Sequence, residues 1–298
     1  KLRFKKLTTQ KAMSINAIHI NESSNNLGLS FSWGNNKSYF LEIENTNSFI
    51  IDSLNSIFNN SDLTIIGFDL KAQIKLLKKC GININGTYFD NKIAHYLVNP
   101  DLSHNYKTLC EAYLNYSPSI KNDSFDQSAM ENSDLNFQLS KYLKSDFSNG
   151  NLVNLFENRV MPLLIVLSVM ELNGIKLDSE FLSKLSVKFH EELKVLEQFI
   201  YKSSNEEFNI ASPKQLGEVL FGKMKLVEKP KKTKSGQFST SEEILSKLAS
   251  KHVIIEKVLE WRSLQKLLNT YVDSLPKQVD LISNRIHAEF NQGVASTG

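Results

Sequence analysis

The first half of the chain alternates short β-type runs with segments of helical periodicity. Three opening runs, separated by Asn-rich turns, predict an antiparallel meander of strands at 15–20, 27–33 and 38–43. Helix, strand, helix and strand are then predicted at 49–58, 63–67, 70–79 and 87–90. Further helices are predicted at 91–97, 106–114 and 136–154, and the polar stretch 117–134 is predicted to be a mobile loop. This order of elements predicts an α/β sheet.

From residue 157 onward the hydrophobic pattern becomes helical. Asp178 or Ser179 can cap a long helix whose apolar positions recur at three- or four-residue steps, at Leu182, Leu185, Phe189, Leu193, Leu196 and Ile200. A second long run, 252–275, stops at Pro276 and presents a similar stripe, at Ile254, Val258, Trp261, Leu264, Leu268 and Tyr271. Because each stripe needs a partner to cover it, the two runs predict a pair of long antiparallel helices.

Shorter elements with clear start signals lie between and after these helices. Ser212-Pro213-Lys214-Gln215 combines an N-cap serine, a proline at the first helical position and a glutamine three residues after the cap, which predicts a capping box. Thr240-Ser241-Glu242-Glu243 carries a similar signal. Near the end of the sequence, 285–290 alternates apolar and polar residues as a half-buried strand would.

The composition is that of an ordinary folded protein. A chain of 298 residues predicts at least two domains, and 41% hydrophobic with 22% charged residues argues against global disorder. The most apolar run, 160–172, is interrupted by Pro162, Ser168 and Glu171, so no membrane span is expected. Cys80 and Cys110 form no CxxC motif, and no secretory signal is evident, so we expect a cytoplasmic protein without a disulfide framework or structural zinc.

The net charge of +3 is small, but its distribution is uneven. Residues 222–278 hold twelve Lys or Arg against six Asp or Glu. Six of these lysines crowd one short segment, at Lys223, Lys225, Lys229, Lys231, Lys232 and Lys234. Composition alone fits a solvated loop as well as it fits a nucleic-acid contact, so the position of the segment must decide between them.

Four segments of the second half resemble family A DNA polymerases of the DNA polymerase I type in sequence, order and spacing. They are Glu171-Leu-Asn-Gly-Ile-Lys-Leu-Asp178, Phe208-Asn-Ile-Ala-Ser-Pro-Lys-Gln-Leu216, Lys231-Lys-Thr-Lys-Ser-Gly-Gln-Phe-Ser-Thr-Ser-Glu-Glu243 and Trp261-Arg-Ser-Leu-Gln-Lys-Leu-Leu-Asn-Thr-Tyr271. The stretch His287-Ala-Glu-Phe-Asn-Gln-Gly-Val-Ala-Ser-Thr-Gly298 resembles the strand and turn that lead this family's chain from thumb into palm. The resemblance is close over 157–298, and over 17–158 it reaches the family's exonuclease domain in layout and in a few short stretches.

The resemblance implies an α/β ribonuclease H-like exonuclease domain with a mixed sheet, followed by an all-α thumb subdomain with long antiparallel helices. We expect an exonuclease-like domain at 1–156, the thumb region at 157–280 and the first strand of the palm at 281–298. The family's palm carboxylates, which hold two magnesium ions, lie far downstream of these segments. We therefore expect no nucleotidyl-transfer site within this piece of sequence.

Hydrolysis of a phosphodiester with two metal ions needs a cluster of carboxylates, because hard divalent cations prefer oxygen ligands. The family supplies an Asp-x-Glu pair on its first strand, an Asp on the helix after the fourth strand, and a Tyr with an Asp four residues later on the last helix. Here Ser14-Ile-Asn-Ala-Ile-His-Ile20 contains no Asp-x-Glu, and Gln73 stands at the second Asp position in Gly67-Phe-Asp-Leu-Lys-Ala-Gln73. Only Tyr142 and Asp146 match, so we expect no intact catalytic site and no bound metal.

An alternative site built from Asp69, Asp90 and Asp146 would support residual activity, whereas the other interpretation makes them surface and capping acids. We favour the second interpretation, because a two-metal site demands converging ligands. Tyr142 and His19 are then packing residues.

The thumb resemblance implies contacts to duplex DNA. Phosphate contacts use lysines, small hydroxyls and helix N-termini rather than groups that read bases. The candidates are Asn209, Ser212, Lys232, Thr233, Ser239, Thr240, Arg262 and Lys266, with Gln292 and Thr297 at the palm edge. Capping alone would explain the hydroxyls equally well.

The sequence thus predicts a DNA-binding part of a DNA-directed DNA polymerase that acts in replication and repair. It would bind a primer–template duplex as a monomer, have no cofactor of its own, and have no membrane partner. Mg²⁺ is expected for the parent polymerase. The alternatives are a residual metal-dependent 3′-5′ exonuclease and the structural half of a split polymerase.

Overall fold

The structure is a computed structural model that describes residues 7–21, 24–44, 48–119, 124–147 and 150–294. The chain divides into two compact units, one formed by Lys1–Asn173 with Ala288–Gly298 and the other by Gly174–His287. The domain boundaries expected at 156 and 280 remain predictions about organisation, since they are defined by resemblance rather than by compactness.

The first unit is an α/β domain built on a five-stranded mixed sheet of order β3-β2-β1-β4-β5. Its strands are β1 Ala12–Asn21, β2 Ser24–Ser32, β3 Ser38–Ile43, β4 Thr64–Gly67 and β5 Thr87–Asp90. The first three pair antiparallel, as the predicted meander requires, and β1–β4 and β4–β5 pair parallel. Parallel strands need crossover connections, and helices provide them between these strands.

The helices of this unit are α1 Ser48–Phe58, α2 Leu70–Lys79, α3 Asn91–Val98, α4 Tyr106–Leu114, α5 Phe125–Asp146, α6 Gly150–Leu155 and α7 Met161–Asn173. A π-helical turn, Phe156–Val160, joins α6 to α7. Buried residues of β1, β2 and β4 form the core with residues of α1 and α2, for example Ile15, Leu29, Phe58, Ile65 and Ile74.

The prediction of a mobile loop at 117–134 was wrong over its second half, where α5 begins at Phe125. The buried face of α5 includes Ser133, Asp134 and Asn136, so the apolar periodicity that marks a helix is missing. Tertiary hydrogen bonds replace it, because the Ser30 hydroxyl donates to the Ala129 carbonyl at 2.5 Å and the Ser32 hydroxyl to the Asp134 carboxylate at 3.3 Å.

One helical stretch, Leu152–Asn173, is long and apolar enough to cross a membrane by length and composition alone. Core helices of soluble proteins pass the same test. In this fold, Met161 and Leu164 of the stretch lie in the hydrophobic core, and the buried Glu171 forms ion pairs with two lysines.

The second unit is mainly helical. Its strands and α-helices are β6 Ile175–Lys176, α8 Ser179–Ser204, α9 Pro213–Gly217, α10 Glu242–Ala249, α11 Val253–Leu267 and β7 Arg285–Ile286. Two π-helical turns, Glu218–Lys223 and Leu268–Val272, and a 3-10 turn, Leu275–Gln278, complete it. Helices α8 and α11 pack together, as the two apolar stripes predict, and Leu193, Ile200, Val258 and Trp261 are buried in the shared core. Asp178 caps α8 by accepting a hydrogen bond from the Phe181 amide at 2.9 Å.

Two local predictions in this unit need correction. Ser241 is the N-cap of α10, but its side chain makes no capping hydrogen bond, and the neighbouring Thr240 hydroxyl accepts from Arg262 instead. The strand predicted at 285–290 is only two residues long, because β7 pairs solely with the equally short β6.

Candidate exonuclease-like site and nucleic-acid interface

The structure places Gln73 against the first strand. Its side-chain oxygen accepts a hydrogen bond from the backbone amide of Ala17 on β1, so the helix that would carry a metal-binding Asp is tied to the strand that would carry Asp-x-Glu. Ala17 is buried, and its neighbours Asn16 and Ile18 are half-buried. Asn16 and Ile18, which flank this contact on β1, and Gln73 itself are not ionisable.

Tyr142 and Asp146, which the resemblance matched to the family's last motif, lie in the last turns of α5 and are exposed. Burial raises the pKa of Tyr113, and the charge and hydrogen bonding of the Asp146 carboxylate raise it further. Within the described residues, no group of three or more His, Cys, Asp or Glu side chains is arranged to hold a metal ion.

Asp90 and Asp69, the other two acids of the alternative site, bind backbone amides and one lysine, respectively. Asp90 is fully buried and accepts hydrogen bonds from the amides of Leu70 at 2.6 Å, Lys92 at 2.9 Å and Ile93 at 3.2 Å. Burial raises the pKa of Asp90 to about 6, with a smaller contribution from the negative charge of Asp69. Asp69 has a left-handed backbone (φ 54°) and pairs with Lys92 at 3.3 Å. These contacts fit the capping interpretation.

Sequence reasoning missed a pair of histidines in this unit. The Nδ1 atoms of His95 on α3 and His104 lie 2.8 Å apart, so one ring donates a hydrogen bond to the other. Burial lowers the pKa of His95, and the charge of His104 lowers it further. Their spacing of nine residues across a loop matches no metal motif, and it gave no signal in the sequence.

Five of the predicted DNA contacts line one groove of the second unit, which has a volume of about 500 Å³. They are Thr233, Ser239, Thr240, Arg262 and Lys266. The other lining residues are uncharged, and among the described residues no carboxylate lines the groove. Two cations, several hydroxyls and no lining acid make a surface suited to phosphate.

Arg262 is partly committed to the protein itself. Its guanidinium donates to the Thr240 carbonyl at 2.6 Å and to the Thr240 hydroxyl at 3.2 Å. Thr240 is buried, so this contact fixes the segment that leads into α10 against α11. Lys266, one turn further along α11, is exposed.

The lysine-rich segment forms a tight turn beside the groove. The Thr233 amide donates to the Gln237 carbonyl at 2.8 Å, and Gly236 adopts a positive φ of 82°, a conformation that glycine tolerates without strain. Lys232 lies over the Phe238 ring at 5.3 Å. The lysines of this turn are exposed, at Lys229, Lys231, Lys232 and Lys234.

Asn209 and Ser212 serve the start of α9. The side-chain oxygen of Asn209 accepts a hydrogen bond from the Ala211 amide at 2.9 Å. The Ser212 hydroxyl accepts one from the Gln215 amide at 3.4 Å. The Gln215 side chain accepts from the Asn209 amide at 2.7 Å, whereas a capping box would have it accept from Ser212. Capping is therefore present at both residues, and contact with DNA is still a prediction.

The two palm-edge candidates lie elsewhere. Gln292 belongs to the first unit, where its amide nitrogen donates to the Val160 carbonyl at 3.3 Å. Thr297 lies outside the described residues.

Comparisons with known proteins agree with this architecture. A family model described as 3'-5' exonuclease matches residues 18–139, and one described as DNA polymerase family A matches 179–298. DNA polymerase I of Synechocystis is 34% identical over 267 residues, covering 84% of this chain and 27% of the relative. DNA polymerase I of Bacillus subtilis is 34% identical over 250 residues, covering 78% and 28%. The chain thus spans about a quarter of these relatives' length.

A solved structure shows the same fold. The POL domain of Pol1 from M. smegmatis, in complex with DNA primer-template and dNTP, matches with a TM-score of 0.83 at 23% identity, over 100% of this chain and 52% of that one. The α/β exonuclease domain followed by a helical region is thereby confirmed. The chain belongs to the family A DNA polymerases of the DNA polymerase I type, of which it carries a 3′-5′ exonuclease domain and part of the polymerase region.

Proposed function

We propose that the chain binds the primer–template duplex of a DNA polymerase I type enzyme through the groove and the lysine turn of its second unit. The observation that carries this proposal is the groove itself, which gathers Thr233, Ser239, Thr240, Arg262 and Lys266 without a lining carboxylate. Such a surface contacts backbone phosphates and reads no bases, so the binding is independent of DNA sequence.

The second part of the proposal is that the exonuclease-like unit does not cleave DNA. The first strand carries no Asp-x-Glu, the resemblance puts Gln73 at a position where the family has an Asp, and the Gln73 side-chain oxygen already accepts a hydrogen bond from β1. Family A polymerase and exonuclease domains normally use divalent metal ions, and Mg²⁺ is proposed for the polymerase reaction of the whole protein. A monomeric, cytoplasmic protein is part of the same proposal.

Duplex binding is tested by titrating the chain against a labelled primer–template at several salt concentrations. With about five phosphate contacts, affinity should fall on the order of 10²–10³-fold between 50 and 200 mM salt. Replacing Lys229, Lys231, Lys232 and Lys234 together with Ala should abolish binding at low salt.

The matched control replaces four exposed lysines of the first unit, Lys11, Lys37, Lys79 and Lys107, which changes the net charge equally. Equal loss of affinity in both variants would show that net charge, rather than the groove, binds DNA. Binding that is insensitive to salt would also contradict the proposal.

The exonuclease is tested with an end-labelled single strand and Mg²⁺ or Mn²⁺. No shortening is expected. Shortening that Asp146→Ala abolishes would favour the alternative, a residual 3′-5′ exonuclease. If a separate chain carrying the palm restored synthesis when mixed with this one, the structural half of a split polymerase would be favoured instead.

A further inference from the structure

A buried carboxylate in the first unit binds two lysines and a backbone amide. The Glu171 side chain, on α7, is only 1% exposed and accepts from Lys71 Nζ at 2.5 Å. It also accepts from Lys75 Nζ and from the Phe290 amide, the latter at 2.7 Å. Because Lys71 and Lys75 are four residues apart on α2, both ammonium groups lie on one face of that helix.

The same cluster grips both polar groups of the Phe290 backbone. The Phe290 amide donates to Glu171, and the Phe290 carbonyl accepts from Lys71 Nζ. These bonds replace what a neighbouring strand would supply, since the described strand β7 ends at Ile286. Phe290 is therefore held by side chains rather than by a sheet.

Electrostatics keep the cluster charged. Burial alone would raise the pKa of Glu171, but the hydrogen bonds from Lys71, Lys75 and the Phe290 amide outweigh it, so the net shift is downward. A buried ion pair of this kind is costly to break, because the loss of one member leaves an uncompensated charge.

A second attachment lies close by in sequence. Gln292 donates to the Val160 carbonyl, and residues 289 and 291–294 close a cavity of about 200 Å³ whose other walls include Lys71, Lys75 and Lys92. The side-chain oxygen of Gln292 is buried and has no hydrogen-bond partner among the residues that the structure describes. The Gln292 amide thus takes part in fixing the segment to the first unit, whereas the resemblance gave it a role at DNA.

Helix α2 consequently contacts two different parts of the first unit. Gln73 binds β1 at the position where a metal ligand has been replaced, while Lys71 and Lys75 bind Glu171. We propose that Glu171, with Lys71 and Lys75, is a positioning residue that fixes segment 288–293 of the polymerase region onto the exonuclease-like unit. The assignment of segment 288–293 to a DNA-binding polymerase region rests on the proposed function, but the attachment of the segment does not depend on DNA.

The test is amide hydrogen exchange on the full chain without DNA, followed by residue or by short peptide. Glu171→Gln keeps one acceptor oxygen and removes the charge. We expect protection of residues 288–293 to fall about tenfold or more, while protection of β1 and β2 is unchanged. Glu180→Gln, which breaks an exposed ion pair with Lys184, is the control and should change neither region.

Two further variants separate positioning from general stability. Lys71→Arg retains the charge and the donors and should restore most of the protection that Lys71→Met loses. In the Glu171→Gln background, Lys71→Met should cost less protection than it does in the wild type, because the Lys71–Glu171 ion pair is already lost and only the bond to the Phe290 carbonyl remains to be removed. Unchanged exchange at 288–293 in Glu171→Gln would overturn the proposal, and so would a uniform loss of protection throughout the first unit.

Duplex binding by the same variants, measured at low salt, distinguishes this inference from the proposed function. Loss of protection with normal DNA binding is expected. If the wild-type chain binds no DNA while Glu171→Gln still loosens 288–293, the DNA proposal fails and the positioning role stands.

Discussion

The two units treat polar side chains in opposite ways. In the first unit, buried polar or charged residues are frequent, and they include Ser14, Ser30, Ser32, Asp90, Asp134 and Glu171. Among the described residues of the second unit, Thr240 alone is polar and buried. The other hydroxyls and cations of its groove, such as Thr233 and Lys266, are exposed or half-buried.

This contrast bears on function. Many buried polar groups of the first unit form hydrogen bonds within the protein, as Asp90 does with three backbone amides. A few, such as the Asn16 side-chain nitrogen, have no hydrogen-bond partner among the described residues. A site for metal and substrate needs the reverse, polar groups that stay unpaired until a ligand arrives. The second unit retains such groups at its surface. Most buried polar residues of the first unit therefore serve its own fold, whereas the exposed hydroxyls and lysines of the second unit are accessible to a partner.

The largest effect is expected when carboxylates are introduced into the first unit. Asn16→Asp, Ile18→Glu and Gln73→Asp, combined, place three carboxylates around the contact between Ala17 of β1 and residue 73 of α2. We expect Mg²⁺-dependent shortening of a labelled single strand about 100-fold or more above the wild-type background, since metal-ion catalysis is worth several kcal/mol and about 1.4 kcal/mol is tenfold in rate.

The control is Gln73→Asp alone, which supplies a single carboxylate and should stay at the background rate. If the triple variant folds and still shows no cleavage, the unit has lost its geometry as well as its ligands. The two units would then differ in the backbone geometry of their sites as well as in their side chains.

A second test concerns Arg262, where the second unit behaves like the first. Arg262→Ala leaves the buried Thr240 carbonyl without its donor, so the free energy of unfolding should fall by about 1–3 kcal/mol. Lys266→Ala, at an exposed position of the same groove, should change it by no more than about 0.5 kcal/mol. Denaturant unfolding of both variants measures the difference.

Equal stability of the two variants would mean that the Arg262–Thr240 contact contributes nothing measurable. DNA affinity adds a second readout. A purely electrostatic role predicts equal losses of affinity, whereas a role in shaping the groove predicts a larger loss for Arg262→Ala.

Elements with regular apolar spacing could be predicted from the sequence. Helix α2 begins and ends where the pattern places it, and α8 packs on α11 through the predicted stripes. The start of α5 could not be predicted, because its buried face carries Ser133 and Asp134, whose partners Ser14 and Ser32 are about a hundred residues away. Short-range periodicity contains no information about such pairs.

The candidate sites divide in the same way. Local signals identified the Ser212 cap and the lysine turn, since capping residues and glycine turns act over three or four positions. The Arg262–Thr240 contact and the Glu171 cluster join residues 22 and 100 positions apart, so only the fold reveals them. At Gln73 the sequence indicated a missing carboxylate, and the structure adds that its amide is bound to β1.

The smallest predicted effect is a pH dependence that belongs to the first unit alone. Burial raises the pKa of Asp90 to about 6, above the value of an unfolded chain, so the folded state binds a proton more readily than the unfolded state does. Between pH 7 and pH 5, protonation at Asp90 should therefore raise the free energy of unfolding by about 1 kcal/mol.

Asp90→Asn cannot bind this proton, and every other titrating group is common to both proteins. The difference in unfolding free energy between wild type and Asp90→Asn should consequently shift by about 1 kcal/mol in favour of wild type as the pH falls from 7 to 5. Asp178→Asn is the matched control for the loss of a capping carboxylate, because Asp178 caps α8 in the second unit at an exposed position. A pH-independent difference at Asp90 would show that its three amide donors offset the cost of burying the charge, and the first unit would then hold its buried acids without a penalty.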